Sequence, residues 1–120
     1  GESMLLRADA LGKRVHLFEP KGGGGGVAVF RDKEEQLSCL QYELLRLLLN
    51  RQREDEDKDE RTAGFVSSVE MTVNLPWETP KPSASNVKQL MRRMRVLLKG
   101  SGLDIESRRG FGYRLWHREG

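Results

Sequence analysis

The sequence holds one cysteine, Cys39, so no disulfide can form within the chain, and a lone thiol suits a reducing compartment such as the cytoplasm. No apolar run approaches the roughly 20 residues of a membrane-spanning helix, so no contact with a membrane is expected. The opening Gly1-Glu2-Ser3-Met4 lacks the basic-then-apolar pattern of a secretory leader; residues 1–3 are expected to be a tag remnant or a disordered start, with the domain at 4–120. Histidine is scarce: His16 falls in a strand-like segment, His117 in the tail, and neither is near Cys39 in sequence. Cys39 opens a helix, where a thiol pKa can be lowered, but its expected position faces the core. The carboxylates lie mainly in one polar run without metal-ligand spacing. Catalysis needs a nucleophile, a base and an orienting group within reach. No such set is evident, so neither an enzyme nor a cofactor or metal site is expected.

What is present fits one domain. A chain of 120 residues, 37% hydrophobic and 32% charged, can bury a core without metal or disulfides. The net charge of +3 and the pI of about 9.2 carry little weight alone. Their distribution carries more. From Lys81 to the end there are ten basic residues against three acidic ones, a net +7, which leaves the first two-thirds slightly acidic.

Residues 4–37 read as a small antiparallel sheet of short strands: Met4-Leu5-Leu6, Arg14–Phe18, Val27–Phe30 and a brief Glu35-Gln36-Leu37. The run Gly22–Gly26 between the second and third reads as a flexible hairpin tip. A phosphate-binding loop would need Lys-Ser/Thr and a helix after it, whereas Val27-Ala28-Val29 follows. Residues 38–99 should supply three helices. The first starts at Ser38, which forms a capping box with Gln41, and its many leucines predict a central, buried helix. The charged stretch at 51–64, with no apolar residue from Arg51 to Arg61, is expected to be a solvated loop or an extension of the first helix and to stay away from any polyanion. A second helix is expected after Ser68 as N-cap, with Val69, Thr72, Val73 and Leu75 as its apolar faces and Pro76 as its stop. Trp77 anchors its end, and Glu78–Pro82 reads as a rigid connector.

The third helix, capped by Ser83 or Ser85 and running to about Lys99, carries most of the functional signal. Val87, Leu90, Met91, Met94, Leu97 and Leu98 recur at three- and four-residue spacing and form one stripe. The opposite face holds Lys88, Gln89, Arg92, Arg93, Arg95 and Lys99, with Val96 among them and no acidic residue anywhere in the helix. Surface helices ordinarily mix both signs, and an all-cationic face repels itself unless a polyanion meets it. A helix of about fourteen residues, roughly 21 Å long, fits a DNA major groove, where Arg reads guanine and Gln reads adenine. Residues 103–116 then read as a β-hairpin with Gly110 and Gly112 at its turn and Arg108 and Arg109 at or just before its tip, placed to approach a minor groove.

These segments together resemble the winged-helix effector domains of the OmpR/PhoB type, found at the C-terminal end of bacterial response regulators. L-S-C-L-Q-Y-E-L-L (37–45) is similar to that family's L-T-P-x-E-[FY]-x-L-L, N-V-K-Q-L-M-R-R-M-R-V-L-L (86–98) to T-V-D-V-H-I-R-R-L-R-K-K-L, and I-E-S-R-R-G-F-G-Y-R-L (105–115) to I-x-T-V-R-G-x-G-Y-x-L. Val66-Ser67-Ser68 and Trp77 match the edges of the family's second helix more loosely. The resemblance implies an α+β fold: a winged helix-turn-helix with an N-terminal antiparallel sheet, three helices and a C-terminal hairpin wing. It implies a transcriptional regulator that binds double-stranded DNA sequence-specifically. The contacts would come from Ser85, Lys88, Gln89, Arg92, Arg93, Arg95 and Lys99 in the major groove, and from Arg108, Arg109 and Tyr113 at the wing. It further implies a homodimer on tandem half-sites and contact with RNA polymerase. Where the family carries acidic and histidine residues in the third helix this chain has Lys88 and Leu90, so base preference does not carry over. The 51–64 loop is longer than the family's, the loop before the third helix is proline-rich, and these 120 residues contain no receiver domain. The charged loop and the connector motivate an alternative, a winged helix repurposed for protein–protein interaction.

Overall fold

Three short strands form the first sheet: β1 (Val15–Phe18), β2 (Val27–Phe30) and β3 (Lys33–Gln36), antiparallel in the order β1-β2-β3. The computed structural model describes residues 15–19, 25–30 and 33–117. The opening residues 1–3, the expected strand at Met4-Leu5-Leu6, Arg14 and the loop at 20–24 lie outside the described residues. Val15 pairs with Phe30 and Leu17 with Ala28, and the two-residue period puts Val15, Ala28 and Phe30 on the inner face, all buried. The third strand begins at Lys33, two residues earlier than the pattern suggested, because Phe30 pairs with Lys33 and Val27 with Gln36.

The sheet leads into α1 (Cys39–Glu54), which begins at Ser38 with both halves of the capping box in place. Leu44, Leu45 and Leu48 are fully buried, and each such side chain stabilises the fold by about 1.5–3 kcal/mol. Cys39 is exposed, which corrects the expected core-facing position: it occupies the first helical residue, before the buried stripe begins at Tyr42.

The first four residues of the charged run extend α1, one of the two forms expected, but the run is not wholly solvated: two of its polar side chains are buried. Gln52 donates from Nε2 to Leu115 O at 2.9 Å, and the Asp55 carboxylate accepts from Gly64 N at 2.9 Å. Gly64, with φ +87°, sits directly against the Gln52 amide, where a Cβ would collide. A polar run with no apolar residue can therefore lie partly inside, because the Gln52 amide nitrogen and the Asp55 carboxylate find partners, although Gln52 Oε1 is buried without one. Arg51 binds Glu70 and Glu54 and donates to Phe65 O at 2.9 Å. Its hydrogen bond to Glu70 holds the guanidinium above its ordinary pKa range.

The second helix, α2 (Ser68–Asn74), is capped by Ser67 and not by Ser68: Ser67 Oγ accepts from Glu70 N at 3.1 Å. The start is fixed one residue earlier because Val66 is engaged in a strand-like bridge with Tyr113. The buried side is Met71 together with the expected Leu75, whereas Val69 and Val73 are 72% and 75% exposed, which corrects the expected apolar face at those two positions. Trp77 donates from Nε1 to Met71 O at 2.8 Å and closes the end of this short helix.

After α3 (Ala84–Leu97), the chain returns as a hairpin, β4 (Leu103–Arg108) and β5 (Gly112–His117), joined through Arg109-Gly110-Phe111. The exchange of hydrogen bonds between Val66 and Tyr113, at 2.8 and 2.9 Å, adds the segment before α2 alongside β5. The described chain is thus a small α+β domain of three helices and antiparallel sheets, with α1 at its core. None of its described helices is long and apolar enough to cross a membrane.

Gly112 combines φ +111° with a backbone so close to Val66 O that any Cβ would overlap it, whereas Gly110, at φ +87°, faces open space. Gly110→Ala should cost about 1 kcal/mol for its left-handed backbone alone. Gly112→Ala should cost about 3 kcal/mol, because the Val66 bridge must also break. Urea unfolding of both variants checks this, and equal costs would show that the bridge constrains nothing.

Candidate nucleic-acid interface

The helix α3 is set by its ends. Ser83, not Ser85, is the cap: Ser83 Oγ accepts from Asn86 N, while Asn86 Oδ1 accepts from Ser83 N at 2.8 Å. Ser85 is left exposed in the first turn. The helix ends at Leu97 and not at Lys99. The last turn tightens, with Lys99 N donating to Val96 O, and Gly100 turns away at φ +82°. Lys33 of β3 reaches this end and donates from Nζ to Lys99 O at 3.1 Å and Leu97 O at 3.4 Å. A cation on otherwise unpaired C-terminal carbonyls offsets the negative end of the helix dipole.

Val87, Leu90, Met91 and Met94 are buried, which turns Ser85, Lys88, Gln89, Arg92, Arg93 and Val96 outward. Among the described residues none of Lys88, Arg92, Arg93, Arg95 and Lys99 makes an ion pair. Elsewhere pairing is the rule: of the seven described arginines outside α3, five are paired, leaving Arg53 and Arg109. The α3 face is therefore an uncompensated field of positive charge, not a mixed solvated surface.

A groove of about 470 Å³ runs beside this face, lined by Lys88, Arg92, Arg95 and Lys99 on the helix and by Ser107 and Tyr113 on the hairpin. A second groove of about 300 Å³ shares Ser107 and Tyr113 as its wall and continues to Arg109 and Phe111 at the turn. The helix cations and the exposed Arg109 thus border one continuous surface. Gln89, Arg93 and Ser85 lie outside the groove lining, on the outward side of the same helix.

Three expected contact residues are otherwise engaged. Arg95 is half-buried and donates from Nε and Nη2 to Ile105 O, both at 3.3 Å, so it ties α3 to β4. Tyr113 is 9% exposed, since its backbone is held by Val66, and only its edge lines the grooves. Arg108 points to the opposite face of the hairpin from Ser107. There it binds Glu106 at 2.8 Å and Arg61 O, over the touching rings of Phe65 and Phe111.

That outer face holds the residue which sequence reasoning missed. Arg114 is 2% exposed, with its guanidinium 4.5 Å from the ring centroids of both Phe65 and Trp116. It donates to Glu106 at 2.9 Å, to Ala63 O at 2.9 Å and to Glu60 O at 2.5 Å. Arg114 thus contacts the rings of Trp116 and Phe65, Arg108 contacts the touching pair Phe65 and Phe111, and the Glu60–Phe65 segment is clamped across the outer face of the hairpin. The strand period was the available signal: with Tyr113 and Leu115 inward, Arg114 and Trp116 must share the outer face.

Comparison with models of known protein families, with curated proteins and with solved structures returns no significant match. Among the described residues no group of three or more His, Cys, Asp and Glu side chains could hold a metal ion.

Arg114→Ala should destabilise the domain by about 3–5 kcal/mol, because Glu106 and two carbonyls lose a buried partner. Arg114→Lys should recover little, since an ammonium replaces neither the planar stack nor the forked donors. Thermal and urea unfolding measure both, and a fully tolerated lysine would reduce the site to simple charge pairing.

Proposed function

We propose that this chain is a winged-helix DNA-binding domain that recognises double-stranded DNA sequence-specifically and acts as a transcriptional regulator without catalysing a reaction. In this reading α3 enters the major groove, and the hairpin is the wing that brings Arg109 to the minor groove. The observation that carries it is the unpaired cationic face of α3, continuous through Ser107 and Tyr113 with Arg109, in a domain whose other arginines are mostly paired. Within that surface Arg92 and Gln89 are the base-reading candidates. Lys88, Lys99 and Arg109 are suited to phosphates. Arg95, Arg108 and Tyr113 support the frame on which these residues sit.

The resemblance to OmpR/PhoB-type effector domains adds a cytoplasmic bacterial setting, a homodimer on tandem half-sites about one helical turn apart, and a polymerase contact from the connector before α3. A second reading, a winged helix turned to protein contact, draws on the exposed Val69 and Val73, one turn apart on α2.

Selection of bound duplexes from a random pool should return a defined site. Log affinity should then fall linearly with log salt, with a slope of about −0.9 per phosphate neutralised. Arg92→Ala should cost about 1–3 kcal/mol and relax preference at one base pair, whereas Arg109→Ala should weaken all sequences alike and reduce the slope by about 1. Unchanged duplex affinity in the Arg92→Ala, Arg93→Ala, Arg109→Ala triple variant would sink this reading, as would failure to shift duplex at low salt.

A further inference from the structure

On the side of α1 away from the hairpin, a cleft of about 300 Å³ opens between the helix and β1. The helix turns Leu44, Leu48 and Gln52 to the core; Arg46, Asn50 and Arg53, at four- and three-residue spacing, occupy the opposite side and line the cleft. Leu49 and Leu17 form its half-buried floor, and Phe18, 56% exposed, forms a wall. His16 completes the lining, which contains no carboxylate. Arg46 makes only a 3.5 Å surface pair with Glu43, an arrangement that contributes little, and Arg53 and Asn50 make no side-chain hydrogen bond or ion pair among the described residues.

We propose that this cleft is a binding site for a small organic anion with an apolar body, an aromatic carboxylate being the best fit. The chemistry is complementary at both ends. Two guanidiniums and a carboxamide offer forked donors to a carboxylate. The Phe18 ring and the leucine floor offer an apolar surface whose exposure is otherwise unexplained. The volume lies at the lower end of small-molecule sites, a size that suits a single ring with a carboxylate. The site is separate from the α3 groove, shares no residue with it, and stands whether or not the domain binds DNA.

The test is an amide-resolved NMR titration of the whole chain with benzoate, acetate and benzyl alcohol. Benzoate should give saturable shifts confined to His16–Phe18 and Arg46–Arg53, at millimolar concentration or below, and acetate and benzyl alcohol should each bind at least about tenfold more weakly, because each lacks one end of the match. The Arg46→Gln, Arg53→Gln variant, changed only at surface positions, should lose about tenfold in benzoate affinity with the remaining spectrum unaltered. Equal binding of acetate would reduce the site to unspecific charge, and equal binding of benzyl alcohol to unspecific apolar contact; either overturns the proposal. So would the absence of saturation, or displacement of benzoate by an acidic peptide of much higher affinity, which would assign the cleft to a protein partner. The three wild-type titrations decide the matter even if the double variant fails to fold.

Discussion

The guanidinium of Arg114 is taken almost wholly out of water, and that step costs several kcal/mol unless every donor and both faces of the group are matched. Matching it dictates the path of much of the chain. Glu106 must stand opposite on β4, which the register Glu106↔Arg114 provides. The carbonyls of Glu60 and Ala63 must come within reach, so the segment after α1 has to lie along the hairpin instead of projecting into solvent. The rings of Phe65 and Trp116 must both come against the group, each with its centroid 4.5 Å away. Once Phe65 is in place, Val66 falls beside Tyr113, and the helix cap at Ser67 follows directly. The entry to α2, the hairpin and the wall between the two basic grooves are in this sense set by one buried cation.

The same packing divides the charges of the hairpin. Residues 106, 108 and 114 share one face, where Glu106 pairs with both arginines and the carbonyls of Glu60, Arg61 and Ala63 accept from them. Ser107 and Tyr113 face α3, where the cations have no protein partner. Acidic residues so abundant in one stretch would weaken a polyanion-binding surface if they lay against it. Contact of the 60–63 backbone with Arg108 and Arg114 holds that segment on the reverse of the hairpin from the α3 groove.

Periodicity made much of this legible in advance. The alternation in β1 and β2, the capping box at Ser38, Ser83 as one of two cap candidates, the apolar stripe of α3 and the glycine-marked turn of the hairpin are local patterns with local causes, and these elements formed close to where the patterns indicated. The outward set Ser85, Lys88, Gln89, Arg92 and Arg93 followed from the same stripe. What escaped depends on contacts distant in sequence. Val69 and Val73 look like a core face until Met71, beside the expected Leu75, is seen to fill that role in a helix of only seven residues. Gln52 and Asp55 look solvated until Leu115 and Gly64 supply partners. Arg108 looks like a free tip cation until Arg61 and Phe65 meet it from nearly fifty residues away. Charge and polarity alone do not distinguish a side chain awaiting a ligand from one already satisfied by its own chain.

Strand β3 reads Lys33-Glu34-Glu35-Gln36 and has β2 as its only partner among the described residues. Its free edge is an array of backbone donors and acceptors that a strand from another molecule could extend. Any such newcomer would have to dehydrate two carboxylates and displace the ammonium already committed to Leu97 O and Lys99 O. The residue that steadies the end of α3 thus also guards the sheet against edge-to-edge aggregation, a protection that needs neither a proline nor a bulge.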